Sequence, residues 1–418
     1  MSLEEKVGQV LMVHFNGEQV NEDAKALVQK INVGGIIYYN WANGLNSPSQ
    51  VLSLSSGLQK LTEQNRVAIP LFITADQEGG LVARLNKGFT IFPGNRALGM
   101  TGDHELAEQC AYAIGQELRT VGVNLNLSPV VDVNNNPRNP VIGIRSFGES
   151  TEIVIPFARS AIEGYHKAGI MTSLKHFPGH GDVEIDSHED LPVIKKTKQQ
   201  LQKVELLPFA ELASQADTVV TAHVIVPSID SVNCATLSKN VLDILRKEIG
   251  FEGAIIADSL VMEGLLKNCS SVDDAAIRAL NAGCDILTLG GKQLIGNHAN
   301  LELKVADVER IHQALVIAVK KGVITEERLN EAVQRVLNLK NKYNLLASSD
   351  KQLASSLNTP AHQQLAKKIA SLALKSIENK SIPYGNFHQN KLAVFAPVIA
   401  KENIQQTSLL KLGKEMYP

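Results

Sequence analysis

Eight short apolar runs decide what this chain can fold into. They are LMVHF (11–15), GGIIYY (34–39), LFITAD (71–76), NLNLSPVVDV (124–133), GIMTSLKHF (169–177), TVVTAHVIV (218–226), GAIIADSL (253–260) and CDILTLG (284–290). Their apolar residues run nearly without interruption instead of alternating with polar ones, as parallel strands buried on both faces require. After each run comes a segment rich in Gly, Pro, Asn or Asp. Stretches with helical spacing lie between the runs, among them 103–122, 153–169 and 272–283, and Gly283 stands where the last of these would end. Eight strand–helix repeats through about residue 345 predict a (β/α)8 TIM-type barrel with a short C-terminal extension. A doubly wound open sheet is the competing architecture. It usually needs fewer strands, and no GxGxxG turn follows the first one.

A barrel places its active groups at the C-terminal ends of its strands and on the loops that follow. Polar residues fall there: Asp76 after the third run, Asp132 in the fourth, Lys175 and His176 in the fifth, His223 in the sixth, Asp258 in the seventh. Inside a barrel each would carry a desolvation cost unless it were paired.

The chain of 418 residues is long enough for one large domain plus a fragment. Residues 1–345 read as the barrel, the catalytic domain. Residues 346–418 read as linker, helix and strand: a Ser-rich linker (345–360), a helical stretch (362–380) and one more buried strand, KLAVFAPV (391–398). A lone strand cannot bury itself. This part therefore either packs on the barrel or opens a truncated second α/β domain.

The formal net charge of −2 provides no basic field to hold nucleic acid. Cys110, Cys234, Cys269 and Cys284 lie far apart with no CxxC spacing, so neither a structural zinc site nor a disulfide framework is indicated. No apolar run approaches the length of a membrane span, and the opening MSLEEKVGQVLMVHF does not read as a signal peptide. The expectation is a cytoplasmic monomer without cofactor. A secreted or lipid-anchored protein whose leader has been cleaved is the alternative.

The stretch LKHFPGHGDVEIDSHEDLPVI (174–194) admits three readings. His176 and His180 are spaced to bind zinc on a helix, but Pro178 and Gly179 between them break one. A polar surface loop is the plain alternative. The third reading is proton transfer. Asp186 and His188 are two residues apart, and a carboxylate bonded to one ring nitrogen fixes the tautomer and turns the other toward a substrate. Asp258, in IIADSLVMEG, follows an apolar run and reads either as a nucleophile or as a helix-start carboxylate that binds backbone amides.

FITADQEGGLVARL (72–85), NLSPVVDVNNNPRNPVIGIRSFG (126–148), the 174–194 stretch and IIADSLVMEG (255–264) together resemble glycoside hydrolase family 3. The resemblance is closest to its β-N-acetylglucosaminidase branch and covers roughly residues 1–345, in order and at ordinary spacing. The KHFPGHG and DSH pairing is its most specific part. The resemblance implies that Asp258 is the nucleophile, His188 the general acid/base and Asp186 its supporting carboxylate. It implies that Asp76, Arg84, Arg145, Lys175 and His176 grip the terminal sugar of a saccharide containing N-acetylglucosamine. Leu81 stands where the family often has Arg, and His14 where an Asp is common; both would alter the pocket rim. Phosphorolysis on the same site is a narrower alternative, and a metal-dependent barrel hydrolase built on His176, His180 and His188 a broader one. A silent sugar-binding protein is disfavoured, because a binder needs neither nucleophile nor acid/base. Trp41 reads as packing on the rim more than as a sugar platform, and His223 equally as a bonded interior histidine or a site residue.

Overall fold

A computed structural model describes residues 1–187, 191–292, 301–345 and 356–378. The eight runs form strands β1 (Leu11–Val13), β2 (Gly35–Ile37), β3 (Phe72–Ala75), β4 (Leu125–Asn126), β5 (Ser173–Phe177), β6 (Thr218–Thr221), β7 (Ala254–Ala257) and β8 (Ile286–Leu289). Every neighbouring pair is parallel, and β1 pairs with both β2 and β8, with Leu11 opposite Leu287. The last seam, between β4 and β5, closes through the parallel bridges Leu125–Met171 and Val130–Lys175. The fold is therefore a (β/α)8 barrel, and the open-sheet alternative falls.

Several strands are shorter than the runs that encode them. β4 is the extreme case, and Pro129 supplies the reason: it brings no N–H to the ladder. Pairing resumes one residue later at Val130.

Alternate residues of a strand face opposite sides. Met12, Ile37, Phe72, Leu125, Met171, Val220, Ile256 and Ile286 pack together inside the barrel. Leu11, Val13, Ile36, Ile73, Val219, Ile255 and Leu287 belong to the larger core between barrel and helices. Carrying the inward parity toward the strand ends reaches His14, Tyr39, Asp76, Lys175 and Asp258. The same alternation that fills the barrel thus delivers these polar side chains to its C-terminal mouth.

The opposite end is plugged by the helix Glu326–Lys342, whose Val336 and Leu339 join the interior cluster. Buried charges at this end serve the scaffold. Asp285 binds Arg246, Arg328 and Arg335, and Asp217 binds His166, Lys342 and Tyr343.

The helix Pro360–Glu378 packs on the barrel helices Asn95–Thr101 and Glu105–Thr120. Its anchor is the buried carboxylate of Glu117, which accepts from Asn358 N (2.9 Å), Thr90 N (2.9 Å) and Thr90 Oγ1 (2.6 Å) and meets His362 Nδ1 at 2.8 Å. Most of the expected linker (346–355) and the expected strand 391–398 lie outside the described residues. Among the described residues no helix is long and apolar enough to cross a membrane.

Candidate active site

The site begins with the loop after β3. Its DQEGG segment turns back as a small antiparallel hairpin, Gln77–Gly79 against Val82–Ala83. The Gln77 side chain closes the base, donating to Leu85 O at 2.7 Å and accepting from Leu85 N at 3.0 Å. Gly80 has φ +60°, and a Cβ there would lie 2.8 Å from Gly94 Cα. Only glycine fits this turn against the Phe92–Gly94 segment. The hairpin brings Asp76, Glu78 and Arg84 onto one side of the mouth.

From there a chain of ion pairs and hydrogen bonds crosses the mouth. Arg84 Nη2 lies 3.3 Å from Asp76 Oδ2, and Lys175 Nζ lies 2.9 Å from Asp76 Oδ1. The same Lys175 nitrogen is 2.6 Å from Glu78 Oε1. Arg145 grips Glu78 with two donors, Nε at 3.0 Å and Nη2 at 2.8 Å. Arg145 Nη2 then approaches His176 Nε2 at 3.4 Å, and His176 Nδ1 meets Asp132 Oδ2 at 2.7 Å. An imidazole that donates through Nδ1 to a carboxylate presents Nε2 as an acceptor.

Lys175 and His176 are sequence neighbours, yet both serve this chain. The register of β5 against β6 shifts between Lys175 and Phe177, which breaks simple alternation at this point. The Lys175–His176 peptide is cis.

The charges fix one another's ionisation. Burial alone would raise the Asp76 carboxyl, but Lys175, then Arg84 and Arg145, hold it below the ordinary range. Burial likewise opposes the charge on Glu78, and Arg145 and Lys175 outweigh it. Burial works against Lys175 too, and Asp76 and Glu78 keep its ammonium above its ordinary value. Asp76, Glu78 and Lys175 are therefore held in their charged forms, which makes their hydrogen bonds strong ones.

Asp132 also organises the 174–194 loop. Its Oδ1 accepts from His176 N at 3.1 Å and His180 N at 2.7 Å. His180 is buried, and its Nε2 lies 3.2 Å from Ser187 Oγ. Burial, then the neighbouring His176, pushes its imidazole down to about 4. A neutral ring bonded to a serine has the role of a loop strut. The segment between the two histidines is not helical.

Asp258 is the first residue after β7. Its Oδ1 accepts from Ser259 N at 2.7 Å, and its own N–H donates to Thr221 Oγ1 at 3.3 Å. Tyr39 continues the inward parity of β2 to the same mouth. The Arg84 guanidinium lies 5.7 Å from the Tyr39 ring centre. Burial raises the Tyr39 phenol, and Asp76 and Asp258 raise it further. Trp41 stacks on Tyr39, and His14 meets both rings edge-on. Trp41 is thus built into the aromatic rim.

Asp76, Arg84, Arg145, Lys175 and His176 come together as one cluster. Asp186 is half-buried on the 174–194 loop, near enough to His180 to favour its protonated form. His188 lies outside the described residues. Ser187, just before it, accepts at its carbonyl from Gly264 N at 3.2 Å, so this loop is tied to the short helix Glu263–Leu266 that follows Asp258. Sequence reasoning missed Glu78, the shared counter-ion of Lys175 and Arg145, and Tyr39. Both had signals. Glu78 sits in the DQEGG turn, and Tyr39 continues the inward parity of β2.

Fold and site define a barrel with a cluster of paired charges at its C-terminal mouth and one carboxylate set directly after the seventh strand. Residues 2–339 match the glycosyl hydrolase family 3 N-terminal domain. The chain belongs to that family. It is 34% identical to beta-hexosaminidase A of Pseudoalteromonas piscicida over 85% of this chain, a match that spans 61% of that relative's length. It is 34% identical to the beta-hexosaminidase of Pseudomonas aeruginosa (strain LESB58) over 72% of this chain and 86% of that protein. Among solved structures, a glycoside hydrolase family 3 beta-N-acetylglucosaminidase from Paenibacillus sp. str. FPU-7 superimposes with a TM-score of 0.83 at 39% identity, covering 89% of this chain and 69% of that one.

Proposed function

We propose that this protein is a retaining glycoside hydrolase that removes terminal β-linked N-acetylglucosamine, from peptidoglycan-derived fragments or chitooligosaccharides. The observation that carries the reading is the placement of Asp258 directly after β7, at the same barrel mouth as the Asp76–Lys175–Glu78–Arg145–His176 cluster. The names of the relatives supply the sugar.

In this mechanism the ion-pair chain binds the non-reducing sugar through its hydroxyls and amide. An Asp258 oxygen attacks the anomeric carbon and forms a glycosyl ester as the glycosidic bond breaks. His188, oriented by Asp186, gives its proton to the departing oxygen. His188 then takes a proton from water, the water oxygen attacks the anomeric carbon, and the ester bond to Asp258 breaks. Two inversions return the β-configuration. The imidazolium that gives its proton to the departing oxygen attracts the Asp258 carboxylate, whereas an ionised second carboxylate would repel it.

The test is proton NMR of an aryl N-acetyl-β-glucosaminide digest at early times, with peptide mapping after trapping by a fluoro sugar. β-N-acetylglucosamine as first product and a label on Asp258 are expected. The α-anomer as first product, or a label elsewhere, would overturn the mechanism. A parallel digest in phosphate separates water from phosphate as acceptor, since phosphorolysis yields the sugar 1-phosphate.

A further inference from the structure

Thr221 lies on the outward parity of β6, behind the barrel wall, where it cannot touch a sugar in the pocket. Thr236 and His223 are fully buried beside it. These residues form a run of hydrogen bonds that starts and ends on the main chain around Asp258. The Asp258 N–H donates to Thr221 Oγ1 (3.3 Å), and Thr221 Oγ1 lies 2.8 Å from Thr236 Oγ1. Thr236 Oγ1 lies 2.8 Å from His223 Nδ1, and His223 Nε2 lies 2.9 Å from Ser259 O.

Only a donor satisfies a carbonyl, so Nε2 carries a proton toward Ser259. Thr221 accepts from Asp258 and turns its own hydroxyl proton to Thr236. With a neutral imidazole, Thr236 gives its proton to Nδ1. With an imidazolium, Thr236 turns to the carbonyl of Ala222, 3.1 Å away, and accepts from Nδ1. Both arrangements keep the two end bonds. The nitrogen of Asp258 and the carbonyl of the next residue are therefore held whatever the state of the ring.

We infer that Thr221, Thr236 and His223 are positioning residues that hold the main chain on both sides of Asp258 and so set the line of its attack. The inference rests on the proposed role of Asp258 as nucleophile. It deepens that reading, because the three residues act through the main chain of Asp258 and Ser259.

The experiment compares the wild type with Thr221→Val and Thr221→Ser on an aryl N-acetyl-β-glucosaminide, with N-acetylglucosamine binding measured by calorimetry on the same samples. Valine keeps the shape and loses the acceptor; serine restores it. Thr221→Val is expected to lower kcat about tenfold to a hundredfold, the scale of a small misplacement of a reacting group. The Kd for N-acetylglucosamine should stay within about twofold, because binding is made by other residues. Thr221→Ser should recover most of the loss. An unchanged kcat in Thr221→Val, a parallel loss of N-acetylglucosamine binding, or a serine variant no better than valine would each overturn the inference. If Thr221→Val does not fold by near-UV circular dichroism, Thr236→Val and Thr236→Ser carry the same comparison. A wild type without turnover sinks the proposed function and this inference together. A working wild type with an indifferent valine variant sinks this inference alone.

Discussion

The main-chain N–H of Gly264 donates to the carbonyl of Ser187 at 3.2 Å. Gly264 lies in the short helix Glu263–Leu266 that follows Asp258, and Ser187 sits between Asp186 and His188 on the loop after β5. The bond ties the segment bearing the proposed acid/base to the segment bearing the proposed nucleophile. It leads to a leaving-group prediction. His188→Ala should lose about 10²–10⁴-fold in kcat/KM on glycosides with poor leaving groups and little on those that depart without a proton. Rates across substituted aryl glycosides check it; equal losses on all of them would make His188 structural.

Glu78 carries the second prediction. It is the common acceptor of Lys175 and Arg145, and all three side chains are mostly buried. Glu78→Gln keeps the shape and removes the charge. Lys175 retains Asp76, whereas Arg145 is left with Val141 O at 3.4 Å and the His176 ring. Breaking one partner out of a buried ion pair costs about 3–5 kcal/mol. Urea unfolding should show a loss on that scale, shared with weaker binding of N-acetylglucosamine. A variant as stable as the wild type would show that water replaces the carboxylate.

The barrel was legible because its strands are buried on both faces and leave uninterrupted apolar runs. Given the barrel, strand parity already points Asp76, Lys175 and Asp258 into the mouth. What periodicity cannot carry is partnership. Glu78 reads in isolation as a charge on a surface turn, and only folding brings Arg145 and Lys175 to it. His223 stayed ambiguous for the same reason: its bonds go to Thr236 and to Ser259, and nothing in TAHV announces either. The irregularity that lets Lys175 and His176 share one pocket is a shift of register between strands, which a sequence read one strand at a time does not contain.

Glu117 and His362 are far apart in the chain and meet at 2.8 Å. Glu117 also accepts from Thr90, on the loop that runs from the DQEGG hairpin toward Asn95, and from Asn358 at the start of the C-terminal helix. Glu117→Ala leaves several buried donors without an acceptor, at about 1–3 kcal/mol for each unsatisfied group. Hydrogen exchange should quicken along the helix Pro360–Glu378 while the strands keep their protection. Unchanged exchange in that helix would show that its apolar face alone holds it down.

Lys340 sets a pH dependence that is independent of catalysis. Its ammonium is fully buried under the barrel, with Nζ 2.9 Å from Gln9 Oε1, 2.9 Å from Gly34 O and 4.8 Å from the centre of the Phe72 ring. None of these is a carboxylate, and burial pushes the group down to about 7 from an ordinary 10.5. Between those two values the unfolded chain binds more protons than the folded one. The free energy of unfolding therefore gains from this residue as pH rises, by up to ~1.4 kcal/mol per pH unit. The gain is complete above 10.5 and is lost as pH falls through about 7. Other groups titrate in the same window, so the measurement is a difference. Guanidinium unfolding of the wild type and of Lys340→Met, from about pH 6 to pH 10, should give curves that run parallel at the acid end and diverge upward for the wild type. Parallel curves over the whole range would mean that Lys340 keeps its proton inside the fold, held by two neutral acceptors and a ring face.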